Sequence, residues 1–293
     1  MTVKFSPKYL AHILIGITAS VAGTTWSTAS RAAGMINVEL PYNLYGHESN
    51  IGGRCAATSM INSFVYLNNI RPDLYASTKL LTGAGMDLNG DGVVDLKDSI
   101  IELDNKMGGF GCGVNRKQAW EGKLNWFDMY APNTTTFAGM VDEDCTGWNG
   151  SQYLTKGVPT IDFLLGELRA GEDIELRIGF DDGSGHYLTL TSLHIDDMDM
   201  NGMWTPGEMV SIDYIDPNCP AGMGPTPGPS VAPITNPDGT WQFNWSNCGN
   251  KTPQRAKITA AWAESPRVPE PSSVFGILAV GGLGLTRIWK KRK

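Results

Sequence analysis

Three short segments carry residue types that together make a nucleophile: Gly-Gly-Arg-Cys at 52–55, Gly-Ser-Gly-His at 183–186 and Ile-Asp-Pro at 215–217. Cys55 opens the run AATSMINSFVYLN, in which Met60, Ile61, Phe64, Val65 and Leu67 recur at helical spacing. A thiol in the first turn of a helix lies at the positive end of the macrodipole, which favours the thiolate. An imidazole beside it strengthens that preference and supplies a proton to a leaving group. A carboxylate behind the imidazole fixes its tautomer. His186 follows a glycine and leads an alternating apolar stretch, and Asp216 closes the next one. These positions assign Cys55 as nucleophile, His186 as general base and acid, and Asp216 as orienting carboxylate. His47 and His194 are rival imidazoles: His47 precedes Cys55, and His194 lies an even number of residues beyond His186.

A second set of residues has the spacing of cation loops. In DLNGDGVVDLKD, Asp87, Asn89, Asp91, Asp95 and Asp98 fall at positions 1, 3, 5, 9 and 12 of an EF-hand loop, with the Val93 carbonyl at position 7 and Gly92 at the sharp turn. In DMDMNGMWTPGE, Asp197, Asp199, Asn201, Thr205 and Glu208 offer oxygens, Met203 its carbonyl, and the whole pattern D-x-[DN]-x-[DN]-G-x5-E is met. Ca2+ is the expected cofactor at both. The second loop falls between His186 and Asp216, so calcium there would set the register of the hairpin that carries them.

The elements that must position these groups are legible by period. Helices are predicted over 56–68, 98–107, 115–129 and 160–171. Strands are predicted at EDIELRIGF, HYLTLTSLHID, MVSIDYID, TWQFNW and AKITAAW, with a proline-rich loop from Pro217 to Pro237 between the third and fourth. The fold class is therefore α+β, a helical first half and an antiparallel sheet in the second half. It occupies residues 35–265 as one domain.

Both ends have the make-up of addresses. Lys4 and Lys8 precede an apolar stretch from Leu10 to Ala22 and then small residues around Ser27 and Ala29, the layout of a secretory signal peptide over 1–29. The last stretch runs Pro269-Glu270-Pro271, an uncharged glycine-rich run from Ser272 to Thr286, then Arg287 and Lys290 to Lys293. That run is shorter than the roughly 20 residues of a stable spanning helix. Without both ends, 16 basic residues face 30 acidic ones, a net charge of −14. Such a body repels nucleic acid and anionic lipid and attracts divalent cations. Five cysteines in an exported chain leave one thiol over. Cys112, Cys145, Cys219 and Cys248 lie in loop-like settings with three pairings open, and Cys55 is the expected leftover.

The tail from 268 to 293 resembles the PEP-CTERM sorting signal in its motif, short apolar helix and basic stop. The resemblance implies processing by an exosortase of a Gram-negative bacterium. Membrane contact would be transient, and the destination the periplasm, cell surface or extracellular matrix. The order of Cys55, Gly185-His186 and Asp216-Pro217, together with the lead-in Val38 to Tyr42, resembles the C39-like group of papain-like cysteine peptidases over about 38–219. It implies a papain-like fold and a peptide or protein substrate. Two departures are visible: Ala56-Ala57 stands where that group has Gly-Pro, and no glutamine precedes the cysteine, leaving Asn50 as the nearest amide for an oxyanion. The alternatives left open are a non-catalytic surface protein with calcium-dependent binding or a matrix role, and acyl transfer on a non-peptide substrate.

Overall fold

A computed structural model describes residues 30–32, 34–220, 226–227, 242–245, 248 and 254–267. The two terminal segments, 1–29 and 268–293, and most of the proline-rich stretch lie outside the described residues. Among the described residues, no helix is long and apolar enough to cross a membrane.

The helices come in the first half. They are α1 (Cys55–Ile70), the single turn α2 (Pro72–Tyr75), α3 (Leu96–Met107), α4 (Arg116–Tyr130) and, later, α5 (Ile161–Ala170). Local chemistry fixes their ends. Asp95 with Asp98 and Asn115 with Gln118 form reciprocal capping boxes at the starts of α3 and α4. Thr160 caps α5, which ends on Gly171 in the left-handed region.

Among the described residues ten strands form one sheet: β1 (Ser30–Ala32), β2 (Met35–Glu39), β3 (Thr135–Val141), β4 (Leu154–Lys156), β5 (Asp173–Phe180), β6 (Gly185–Asp196), β7 (Val210–Ile215), β8 (Thr226–Pro227), β9 (Gln242–Trp245) and β10 (Gln254–Pro266). The main path runs β1-β2-β6-β5-β10-β3-β4, with β7 joined to β6 and β9 to β10. The architecture is α+β. The expected division into halves is too simple, because β2 and β3 enter the sheet from the helical half, and β3 pairs β4 in parallel. Two long strands explain this. β6 pairs β5 through its first half and β2 through its second, while β10 accepts β9 and β3 on successive stretches.

Both faces of β5 are buried: Ile174, Leu176 and Ile178 on one, Asp173 and Glu175 on the other. The helices α1 and α4 cover the second face, through Ser59 on Thr189, Ser63 on Asp173 and Lys123 on Glu175 and Glu264. Trp120, Trp126, Trp262, Phe64 and Tyr66 fill the space between them. Removing a large side chain of this kind from such a core costs about 3–5 kcal/mol.

Cys219 and Cys248 form a disulfide, whereas Cys55, Cys112 and Cys145 are free thiols. The expectation that Cys55 alone stays unpaired is thus corrected. Cys145 is buried in the core while Cys112 stands exposed on a glycine-rich turn, so parity in the sequence does not bring them together.

Candidate active site

Cys55 is the first residue of α1, and no side chain caps that helix. The opening N–H groups of a helix have no partner within it, so the backbone N–H of Cys55 is a donor beside its own sulfur. The approach to Cys55 needs its glycines. Gly53 has φ +80°, and a Cβ there would lie 2.6 Å from the Gly111 carbonyl oxygen. Arg54 pairs with buried Asp104 at 3.3 Å and donates to the Ile51 carbonyl, which anchors this entry loop to the end of α3.

His186 is the second residue of β6 and is buried. Its predecessor must be small, because a Cβ on Gly185 would meet the Arg177 guanidinium at 2.6 Å and the Ile178 carbonyl at 2.8 Å. The helix of Cys55 and the strand of His186 are locked together one helical turn away. The Thr189 hydroxyl donates to the Ser59 carbonyl (2.9 Å), so the Ser59 hydroxyl donates in turn to Thr189 (2.9 Å). Both residues are fully buried, where such bonds are stiff.

Asp216 follows β7 and is 2% exposed. Its Oδ1 lies 2.7 Å from His186 Nε2 and also accepts the Asn218 N–H at 2.8 Å. Its Oδ2 accepts Trp245 Nε1–H at 3.1 Å, and the Trp245 ring lies 5.2 Å from the His186 ring between centroids. With Nε2 committed to Asp216, Nδ1 is the nitrogen left for the Cys55 sulfur. Burial works against a charged ring here, but the Asp216 hydrogen bond and the Cys55 sulfur outweigh it and hold His186 up at about 9. The structure therefore brings Cys55, His186 and Asp216 together as an interacting set.

Asn50 belongs to the same neighbourhood. Its Oδ1 accepts the Arg54 N–H at 2.6 Å, its Nδ2 donates to Asn218 Oδ1 at 3.0 Å, and its backbone N–H donates to the Pro217 carbonyl at 2.6 Å. The chain entering α1 is thus stitched to the chain leaving β7, and one amide hydrogen of Asn50 is engaged there. The rival imidazoles lie elsewhere in the network. His194 binds Asp213, Ser192 and Asn37, and the His47 ring lies tilted against Tyr42, 4.3 Å between centroids. Sequence reasoning missed Trp245, Asn218 and the Ser59–Thr189 lock; only the Asp-Pro-Asn turn gave a local signal for any of them.

The two acidic loops have one backbone in common. In each, the position-1 aspartate accepts from the N–H of the position-6 glycine (Asp87 from Gly92, Asp197 from Gly202). In each, the position-12 carboxylate accepts from positions 2 and 9: Asp98 from Leu88 and Asp95, Glu208 from Met198 and Thr205. They differ in their carboxylates. Oxygens of Asp197, Asp199 and Glu208 lie within 4.8 Å of one another, with Asp197 and Glu208 buried. In the first loop Asp87, Asn89, Asp91 and Val93 are exposed, and Asp98 is the buried member. The donor set of the second loop, hard oxygens around buried carboxylates, fits calcium.

No family model matches the chain, and no curated protein matches it.

His186 carries a stability prediction. Its value of about 9 lies above the 6.5 of an unfolded histidine, so the contribution is complete below about pH 6.5 and fades as pH climbs through about 9. That difference corresponds to roughly 3 kcal/mol. Urea midpoints taken from pH 6 to pH 10 should fall accordingly in the wild type and much less in His186→Gln. Equal slopes in the two proteins would refute the pairing.

Proposed function

We propose that this chain is an exported, calcium-stabilised cysteine peptidase with a papain-like arrangement of helix and sheet. The observation that carries the reading is the buried His186–Asp216 pair at 2.7 Å, with the Cys55 sulfur at the head of α1 acting on the same ring. The chemistry then follows. The Cys55 thiolate attacks the scissile carbonyl carbon, and the oxygen takes the negative charge beside the Cys55 N–H. The imidazolium of His186 gives its Nδ1 proton to the leaving amine, the C–N bond breaks, and a thioester remains. Neutral His186 next takes a proton from water, hydroxide adds to the thioester, and the acid departs as Cys55 regains its thiolate. Asp216 holds Nε2 throughout.

Calcium at Asp197, Asp199, Asn201, Met203, Thr205 and Glu208 would supply positive charge that clamps the β6–β7 hairpin, and it takes no part in the chemistry. The first loop, at Asp87, Asn89, Asp91, Val93, Asp95 and Asp98, would do the same ahead of α3. Export, exosortase processing and a peptide or protein substrate belong to this reading through the two terminal segments and the nucleophile.

A second reading has one observation in its favour. One hydrogen of the Asn50 amide is engaged with Asn218, which ties that group away from free reorientation, and a lost oxyanion donor costs about 10²–10³ in rate. A non-catalytic surface protein on the same frame would look like that. The deciding experiment is hydrolysis of an unfolded protein substrate by the full chain in reducing, calcium-containing buffer, with fragments read by mass spectrometry. Cleavage that iodoacetamide abolishes supports the peptidase; intact substrate favours the second reading.

The same assay tests the calcium clamp. Glu208→Gln weakens the position-12 ligand and loosens the arms carrying His186 and Asp216, where a shift of about 1 Å costs about 10²-fold. Activity should fall and recover in part at high calcium. Activity and calcium dependence both unchanged would leave Glu208 as the corner of an acidic turn.

A further inference from the structure

We infer that Asp173, Glu175 and Glu264 hold one calcium ion in the core, between the sheet and helices α1 and α4. The three carboxylates are 0% exposed, and one oxygen from each lies within 4.8 Å of the others. They stand on adjacent strands and one face, Asp173 opposite Glu264 and Glu175 opposite Trp262. Among the described residues one cation reaches them: Lys123 of α4 bonds Glu175 Oε2 and Glu264 Oε1. Ser63 of α1 donates to Asp173 Oδ2.

These bonds use one oxygen of each carboxylate and leave the other without a partner. Asp173 Oδ1, Glu175 Oε1 and Glu264 Oε2 are all buried and unpaired, and so is the hydroxyl of Tyr45. The charges of Asp173 and Glu175 both act on that hydroxyl. When ionised, three carboxylates beside one ammonium carry two uncompensated negative charges in a region of low dielectric, where isolated ions are costly. A single water cannot serve three acceptors or cancel that charge. One divalent cation does both.

The donor set selects the ion. Carboxylate and hydroxyl oxygens suit hard cations, not the soft ones that thiolates take. Magnesium keeps several waters and is rarely held in an all-protein cage, whereas calcium accepts a flexible set of protein oxygens, so a site closed to solvent suits calcium. In the absence of a cation, burial and neighbouring Glu175 push the Asp173 carboxyl well above the carboxylate range. Protons are then the competing occupants. Because the site is closed to solvent, the ion must enter as the chain folds and leave only as it unfolds.

This placement is independent of the peptidase reading and of the two surface loops. The full chain, purified with calcium, is dialysed exhaustively against EGTA at neutral pH. Its metal is then counted by inductively coupled plasma mass spectrometry, with circular dichroism as the check on folding. One calcium per chain should remain and be released only when guanidinium unfolds the protein. A folded chain with no calcium left overturns the inference and gives the site to protons. The double variant Asp87→Asn with Glu208→Gln removes ligands from both surface loops and should still retain the one ion; its loss there also overturns the inference. Glu264→Gln should lower retention by about tenfold or more, since even an outer-shell partner is worth about 10–100-fold. A folded Glu264→Gln protein with a full equivalent would place the ion elsewhere and overturn the assignment. If that variant does not fold, the count in the double variant decides.

Discussion

Cys55→Ser should give a folded chain whose peptide hydrolysis falls by on the order of 10⁴-fold or more. Removing the nucleophile of a triad costs about as much as removing the whole unit. The fold should tolerate the exchange, because Cys55 is only partly buried and one oxygen replaces one sulfur at a helix start that no side chain caps. Thermal midpoints should therefore stay within a few degrees of the wild type. The control is Cys112→Ser, on an exposed turn, which should leave the rate unchanged. Loss of activity in Cys112→Ser with Cys55→Ser harmless would overturn the assignment.

Asp216→Asn should lower the rate by about 10²–10⁴-fold and move its pH dependence as well. The native carboxylate accepts from three donors: His186, Asn218 and Trp245. An amide has one acceptor oxygen, so its nitrogen must face either the Trp245 N–H or the pair from His186 and Asn218. Each choice buries a donor against a donor, a cost of about 1–3 kcal/mol in stability. The second effect reports on electrostatics. Asp216 is a principal reason that His186 stands at about 9, so the alkaline limb of kcat/KM should begin near pH 9 in the wild type and lower in Asp216→Asn. A merely structural Asp216 would lower activity and leave the limb where it was.

How much of this was legible in the sequence depends on the range of the interaction. The apolar period of 56–68 marked α1 to within two residues, because that signal is local. The loops 87–98 and 197–208 were legible for the same reason, and their shared pattern of backbone bonds follows from spacing alone. Strand β3 was missed. Its residues TTFAGMV alternate weakly, and Gly139 is there to make room for Trp262 and Leu154, which lie far off in sequence. The partners of Asp216 were missed likewise, since Trp245 reaches it across 29 positions. The buried ionic cluster was hidden by a rule that usually works. In EDIELRIGF the alternation suggests Asp173 and Glu175 on a solvent face, whereas both faces of β5 are covered. Lys123 gave a local sign: with Trp120, Leu124 and Phe127 it lies on the stripe of α4 that faces the core.

The central claim is that Cys55 is a nucleophile activated by His186, and the rate of its alkylation tests that most directly. The folded full chain is treated with iodoacetamide at pH 6.5 and quenched at intervals, and each cysteine is followed by peptide mass spectrometry. Cys112 is the internal reference, since it is the more exposed thiol. Cys55 should react about tenfold or more faster than Cys112, because thiolate content governs the rate. The advantage should vanish in His186→Gln. A Cys55 that reacts no faster than Cys112 in the wild type would contradict the account.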